Sequence, residues 1–313
     1  MRAARLHEWG GRPRVEEVPA PSGETIVRVE AAAVAHLDLT VASGRFHMKP
    51  ELPHIGGVEG CGIVVSSDVH EPGTRVMLRG GGLGLVRSGT WAELVAARSK
   101  HVAPLPADLS PELGATYFVP TTTAYTALHD IGRLGVWSGE DEVVVVAGAA
   151  GAVGSMVVQL ALRAGATVIG VVAGEQVGRL PVVDSVILGD EARAAELTRD
   201  RPATLLVDTL GGAGLAERSR WVRPGGRAVS IGYVAGTSVS LDLPNWLLED
   251  VALLPVNMIR RDAAARQHAP MLARLLAAGE LTLEVESFDM ADLGSALDLL
   301  ATGGLRGRAV ITP

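Results

Sequence analysis

Residues 143–172 read VVVVAGAAGAVGSMVVQLALRAGATVIGVV, and inside them Ala149-Ala150-Gly151-Ala152-Val153-Gly154 separates a β-branched run from a helix-like one. This is the strand–turn–helix pattern that holds a dinucleotide, with Ala149 in the first glycine position. The chemistry dictates the residue types. The turn must be tight, the backbone must approach a pyrophosphate closely, and the helix must pack near the strand. Small residues permit all three. The amides at the helix start then face a diphosphate, whose charge a helix N-terminus favours. Ala150, Gly151, Ala152, Val153 and Gly154 are therefore the expected nucleotide contacts.

The end of the following strand bears on which nucleotide. An acid about 20 residues after the first glycine position would grip a ribose 2′-hydroxyl. Val172, Ala173 and Gly174 stand there instead, with Arg179 the nearest cation and Glu175 the one opposing charge. No carboxylate at the strand end repels a 2′-phosphate, so the expected cofactor is NADPH, with NADH the alternative, and Ala173, Gly174 and Arg179 join the cofactor set.

These residues need elements to position them. From residue 142 onward the chain alternates strand and helix, with strands expected at 143–147, 167–172, 185–188, 204–207, 227–231 and 251–259 and helices at 152–163, 191–198 and 213–222. Val143 to Ala147 is a continuous apolar run, as in a parallel strand buried on both faces. That is a doubly wound α/β domain. The first hundred residues read instead as short strands (2–8, 25–29, 62–65, 75–78, 92–96) divided by turns such as Pro21-Ser22-Gly23 and Glu71-Pro72-Gly73. Ser110-Pro111 reads as a helix N-cap followed by proline at the first helical position. Helices at 263–279 and 290–302 and a strand at 308–312 close the chain.

Composition narrows the class. In 313 residues, 48% are hydrophobic and 20% charged, enough for two packed cores. The net charge of −7 gives no reason to expect a nucleic-acid partner. Only Lys49 and Lys100 are lysines. Cys61 is the single cysteine, which excludes an internal disulfide and a cysteine-rich zinc lobe. The opening MRAARLHEWGG lacks a signal peptide's apolar stretch, so a cytoplasmic location is expected. Residues 143–162 carry no charge, yet the glycine cluster splits them and a membrane span is not expected.

In order and spacing, MRAARLHEWGG, GGVEGCGIV, TTTAYTAL, GAAGAVGSMVVQLA, VDTLGG, RPGGRAVSIG and RGRAVIT resemble the medium-chain dehydrogenase/reductase superfamily, in particular its zinc-free, zeta-crystallin-like quinone oxidoreductase branch. The resemblance implies a GroES-like β-rich catalytic domain (1–117 and 261–313) around an inserted Rossmann domain (118–260), with the active site in the cleft between them. Where zinc-dependent relatives place ligands, this chain has Ala35 and Val58, so no metal is expected; a His36, Asp38, His47 and His54 site has no recognised ligand spacing. The branch's usual Asn and Tyr are replaced by Ala35 and Thr40, and its lysine and tyrosine near the 2′-phosphate by Val177 and Gly189.

The resemblance also supplies the remaining site residues. Thr123 matches a threonine near the nicotinamide, against the plainer reading of a helix hydroxyl bonded to backbone. His36 and Thr40 lie on the segment that faces the cleft in relatives. Gly232 and Tyr233, Asn257 and Met258, and Arg308 stand where relatives reach the cofactor. Asp38 is expected to cap the short helix after it, and Cys61 to be a core residue. The expected activity is metal-free hydride transfer from NADPH to a quinone or an α,β-unsaturated carbonyl (enone or enoyl) substrate. Its alternatives are an enoyl reductase tailoring a polyketide-like metabolite, a zinc alcohol dehydrogenase, and a catalytically silent NADPH-binding protein. A homodimer is expected through the apolar edge near 251–259.

Overall fold

The computed structural model describes residues 1–135, 142–172, 186–305 and 307–313. Ala173, Gly174, Glu175, Val177 and Arg179 lie outside the described residues. Contacts divide the chain into two units, Met1–Phe118 with Ala273–Pro313, and Val119–Leu272. The family resemblance implies a second junction at 260/261, and the contact division falls after Leu272.

In the first unit, strands β1 (Arg2–Leu6), β2 (Arg14–Glu17), β3 (Thr25–Val34), β4 (His54–Ile55), β5 (Glu59–Ser67), β6 (Arg75–Arg79), β7 (Leu94–Ala97) and β8 (Val102–Pro104) are short and mostly antiparallel. Helix α1 (His36–Ala42) follows β3, and α2 (Pro111–Thr116) follows β8. The Ser110 hydroxyl accepts the Leu113 amide at 3.3 Å, as the Ser-Pro pair foretold. Val27, Val64, Leu78, Trp91 and Ile311 belong to one apolar core here, and Cys61 lies fully buried against Ala31, Ala115 and Val310.

Helix α3 (Phe118–Tyr125) leads into the second unit and continues as one π-helical stretch, Thr126–Ile131. There β9 (Val143–Ala147), α4 (Ala152–Arg163), β10 (Thr167–Val171), β11 (Val186–Gly189), α5 (Glu191–Asp200), β12 (Ala203–Asp208), α6 (Gly214–Ser219), β13 (Val222–Ser230), α7 (Leu243–Glu249) and β14 (Ala252–Pro255) alternate strand and helix. The six strands pair in the order β11-β10-β9-β12-β13-β14, every pair parallel. That order reverses direction beside β9, which defines a doubly wound sheet with its switch point between β9 and β12. All five residues of β9 and all six of β12 are buried, hence their nearly unbroken apolar sequence. Helix α8 (Asp262–Ala277) contains the contact boundary, and β15 (Val285–Asp289), α9 (Leu293–Thr302) and β16 (Arg308–Thr312) complete the first unit.

Residues 143–162 form the expected strand and helix, and no described helix is long and apolar enough to cross a membrane. Other expectations change. The expected helix 213–222 stops at Ser219, and Val222 already belongs to β13. The expected strand 251–259 shrinks to Ala252–Pro255, and the chain turns away at 258–260.

Candidate active site

The second unit presents the carboxyl ends of β9, β12, β13 and β14 together. Asp208 at the end of β12 stands opposite Ala147 at the end of β9, and Ser230 opposite Pro255. The tight bend after β9 is made at Gly148, with φ +78°, one residue before the position assigned to Ala149. Both amides of Gly148 and Ala149 donate to the Val171 carbonyl, at 3.0 and 3.1 Å. A Cβ on Gly148 would fall 2.2 Å from the Thr209 hydroxyl, and one on Gly154 2.1 Å from the Gly148 carbonyl. Neither position can carry a side chain while strand, turn and helix stay this close. The signal for Gly148 was in the sequence, since the run reads Gly-Ala-Ala-Gly.

Gly151 is the N-cap of α4, and no acid occupies the first turn. The amides of Ala152, Val153 and Gly154 lack intrahelical acceptors by helix geometry and face outward beside the bend. This cradle fits a diphosphate: bare peptide N–H groups at the positive end of a helix dipole, with Gly151 exposed.

The neighbouring lip is the loop Thr209-Leu210-Gly211-Gly212, which sequence reading quoted but gave no role. Thr209 donates its hydroxyl to the Ala147 carbonyl at 2.8 Å, and the Leu210 carbonyl receives the Ala235 amide at 2.9 Å. The Asp208 carboxylate holds the loop, accepting the amides of Leu210 and Gly211 at 2.9 and 2.7 Å. Its other oxygen accepts Arg218 Nε at 2.5 Å, and Arg218 also donates to the Gly211 carbonyl and to Glu191. Asp208 and Arg218 are 0% and 3% exposed, so this ion pair is internal and fully engaged. Gly232 lies against the Thr209 carbonyl, and Tyr233 beyond it is 72% exposed. Asn257 accepts the Arg260 amide on its side-chain oxygen at 3.1 Å; Met258 is half-buried beside it, following β14. Thr123 is 4% exposed in α3 of the same unit.

In the first unit, His36, Thr40 and Arg308 come together. His36 opens α1, and packing, with the nearby Arg308 guanidinium, holds its imidazole below the ordinary value. It is therefore neutral near pH 7 and offers a hydrogen bond rather than a spare proton. Thr40 donates its hydroxyl back to the His36 carbonyl at 3.0 Å, which leaves only lone pairs for anything else. Asp38 does not cap a later helix as expected; it lies inside α1 and accepts the Ala35 amide at 2.9 Å. Its other oxygen accepts the Gly57 and Val58 amides at 3.2 Å. Burial pushes the Asp38 carboxyl up to about 7, against the pull of those amides and aided by the nearby Glu59.

Glu59, another residue sequence reading assigned no role, is 4% exposed and accepts Arg79 Nε at 2.8 Å. Its second oxygen lies 3.6 Å from Arg308 Nη2 without a hydrogen bond. The donor chemistry of this region does not fit zinc. Ala35 and Val58 offer no ligand atom, Asp38 accepts three backbone amides, one Glu59 oxygen is held by Arg79, and His54 Nε2 is bonded to the Gly84 carbonyl at 3.1 Å. Among the described residues no three His, Cys, Asp or Glu side chains are grouped to hold a metal.

The two units carry two recognisable folds, a GroES-like β domain and a Rossmann domain. Residues 21–107 match the alcohol dehydrogenase GroES-like domain family and residues 152–276 the zinc-binding dehydrogenase family. The chain belongs to the medium-chain dehydrogenase/reductase superfamily of oxidoreductases, in its quinone oxidoreductase-like branch. It is 36% identical over 201 residues to a zinc-type alcohol dehydrogenase-like protein of Schizosaccharomyces pombe, covering 63% of this chain and 58% of that one. It is 26% identical over 300 residues to the quinone oxidoreductase of Mus musculus, covering 89% and 86%. Identity to the acrylyl-CoA reductase AcuI of Ruegeria pomeroyi is 27% over 309 residues, covering 93% and 90%. The yhdH oxidoreductase of Salmonella enterica, solved with NADP, shares the fold with a TM-score of 0.79 at 23% identity, covering all of this chain and 100% of that one.

Proposed function

We propose that the chain is an NADPH-dependent reductase that delivers hydride to a quinone or an α,β-unsaturated carbonyl compound without a metal. The observation that carries this reading is the open amide cradle at the start of α4, set at the sheet's switch point with no acid in its first turn. When bound, the nicotinamide nucleotide supplies the reducing electrons. The protein's share is placement and charge. Gly148 and Gly154 keep the turn close enough for bare amides to reach phosphate oxygens, and the Asp208–Arg218 pair holds the adjoining lip. As an acceptor is reduced, charge develops on its oxygen and needs an N–H or O–H donor. His36 is the group offered for that role, since the Thr40 hydroxyl is already committed. Thr123 is offered as a contact to the nicotinamide, and Gly232, Tyr233, Asn257, Met258 and Arg308 as further cofactor contacts.

Quinone oxidoreductase and acrylyl-CoA reductase among the relatives support acceptors of these two kinds. Ala35 and Val58, where zinc-dependent relatives place ligands, carry no ligand atom, and this supports the metal-free reading. The short edge strand β14, with Leu247, Leu248 and Ile259 at 70%, 82% and 90% exposure around it, supports a homodimer.

The test is oxidation of NADPH and of NADH by metal-stripped protein across quinones, enones and enoyl thioesters. Turnover of at least one acceptor, with NADPH preferred, is expected. Tight nucleotide binding without turnover of any acceptor would favour the silent-binder alternative, and activity that requires added zinc would refute the reading.

A further inference from the structure

Strand β6 runs into a glycine loop, Gly80-Gly81-Gly82, whose φ angles of +97°, +65° and +83° lie in the region glycine alone enters at no cost. The Gly81 and Gly82 amides make no hydrogen bond among the described residues. The Gly82 carbonyl gathers the amides of Leu85, Val86 and Arg87, each at 3.0 Å, which folds Arg87 back over the loop. Its Cγ passes 4.0 Å from where a Cβ on Gly82 would stand. The turn between β7 and β8 closes the other side. There the His101 amide donates to the Arg98 carbonyl at 2.8 Å, and the His101 ring abuts Gly81, its Cδ2 2.5 Å from the place of a Gly81 Cβ. Gly80, Gly81, Arg87, Arg98 and His101 line one cavity of about 10 Å³, room for roughly one oxygen-sized atom, and Gly81, Arg87 and Arg98 are exposed at its rim.

No acid lines this cavity, and neither guanidinium has an acid partner among the described residues. Glu24 and Asp68 reach the amide and the hydroxyl of Ser99, beside Arg98, and pair with no arginine. Exposed arginines elsewhere, such as Arg14 in β2 and Arg199 in α5, also lack acid partners, but they share no cavity with each other or with bare loop amides. Two guanidinium forks and successive unbonded loop N–H groups around one cavity make a concave oxyanion receptor. We propose that this cavity binds a phosphate group, free or as a monoester. One oxygen enters against the glycine amides, and the oxygens left outside meet Arg87 and Arg98. Donors that converge from two separate loops suit a tetrahedral anion better than a planar carboxylate. The site is built by the first unit alone and stands whether or not the chain is a reductase.

The full chain is first saturated with NADPH, which keeps added anions off the amide cradle of α4. It is then titrated by calorimetry with inorganic phosphate, glycerol 3-phosphate and acetate. Expected is one saturable equivalent of phosphate per chain, weakened by salt, with acetate binding at least about tenfold less tightly. In Arg87→Gln/Arg98→Gln the phosphate affinity falls on the order of tenfold, as the loss of two screened charge contacts implies. Arg14→Gln/Arg199→Gln removes the same charge elsewhere and leaves the affinity unchanged. All four side chains are exposed, so both variants keep the native melting temperature. Glycerol 3-phosphate binding as tightly as the free ion supports the site and assigns it a monoester; binding of the free ion alone supports it as an inorganic phosphate site. If the chain holds no NADPH, the two double variants still separate this cavity from the cradle, since neither pair lies in α4, and that failure counts only against the reductase reading. No saturable phosphate binding, acetate binding as tightly as phosphate, or equal losses in the two double variants overturns the proposal.

Discussion

Gly154 shows how much one missing side chain decides. A Cβ there would fall 2.1 Å from the Gly148 carbonyl oxygen, so its absence is what lets α4 pack this close to the turn. Gly154→Ala must push strand and helix apart; loss of nucleotide affinity is expected together with about 1–3 kcal/mol of stability, read by nucleotide titration and by urea unfolding. At His36 the expected effect is on chemistry alone. His36→Ala should lower kcat by on the order of a hundredfold if it is the oxygen's donor, with little change in melting temperature because the side chain is exposed. Asp38 gives a pH signature. Its folded-state carboxyl titrates near 7, above the unfolded value of about 3.9. The native state then holds the extra proton between those values, so stability falls as pH rises from about 4 to about 7. Asp38→Asn should flatten that slope in urea titrations run across the range. At this scale the sequence showed the glycines because their spacing is local. It hid Asp208, Glu59 and Arg218, whose importance comes from partners far along the chain and from burial, which no short pattern displays.

Among elements, the loop after β12 depends on a buried ion pair. Arg218→Met would leave the Asp208 carboxylate buried without its cation, and a loss of roughly 3–5 kcal/mol is expected. Chemical denaturation measures it. Strands β9 and β12 were legible as apolar runs because both faces are buried. Edge strand β14 was overcalled, since hydrophobicity there continues into exposed residues such as Ile259, and composition cannot say where hydrogen bonding stops. The π-helical turn at Thr126–Ile131 left no trace in the sequence. Its buried Thr126 hydroxyl has no partner among the described residues, and the Tyr125 ring lies tilted against those of His129 and His268 at centroid distances of 4.5 and 4.4 Å.

For the whole molecule, motif order along the chain carried the family. The exposed apolar side chains around β14 are the surface proposed to self-associate. Leu247→Glu/Leu248→Glu should convert a dimer to a monomer in sedimentation experiments while nucleotide affinity persists; an unaltered dimer would place the interface elsewhere. The central claim is that the turn at Gly148–Gly154 binds a nicotinamide dinucleotide through peptide N–H groups with no metal nearby. Its most direct test is a fluorescence titration of chelator-treated protein with NADPH and NADH. Saturable binding of one equivalent per chain, tighter for NADPH, is the predicted result. No binding of either nucleotide, or binding that returns only when zinc is restored, would contradict the account.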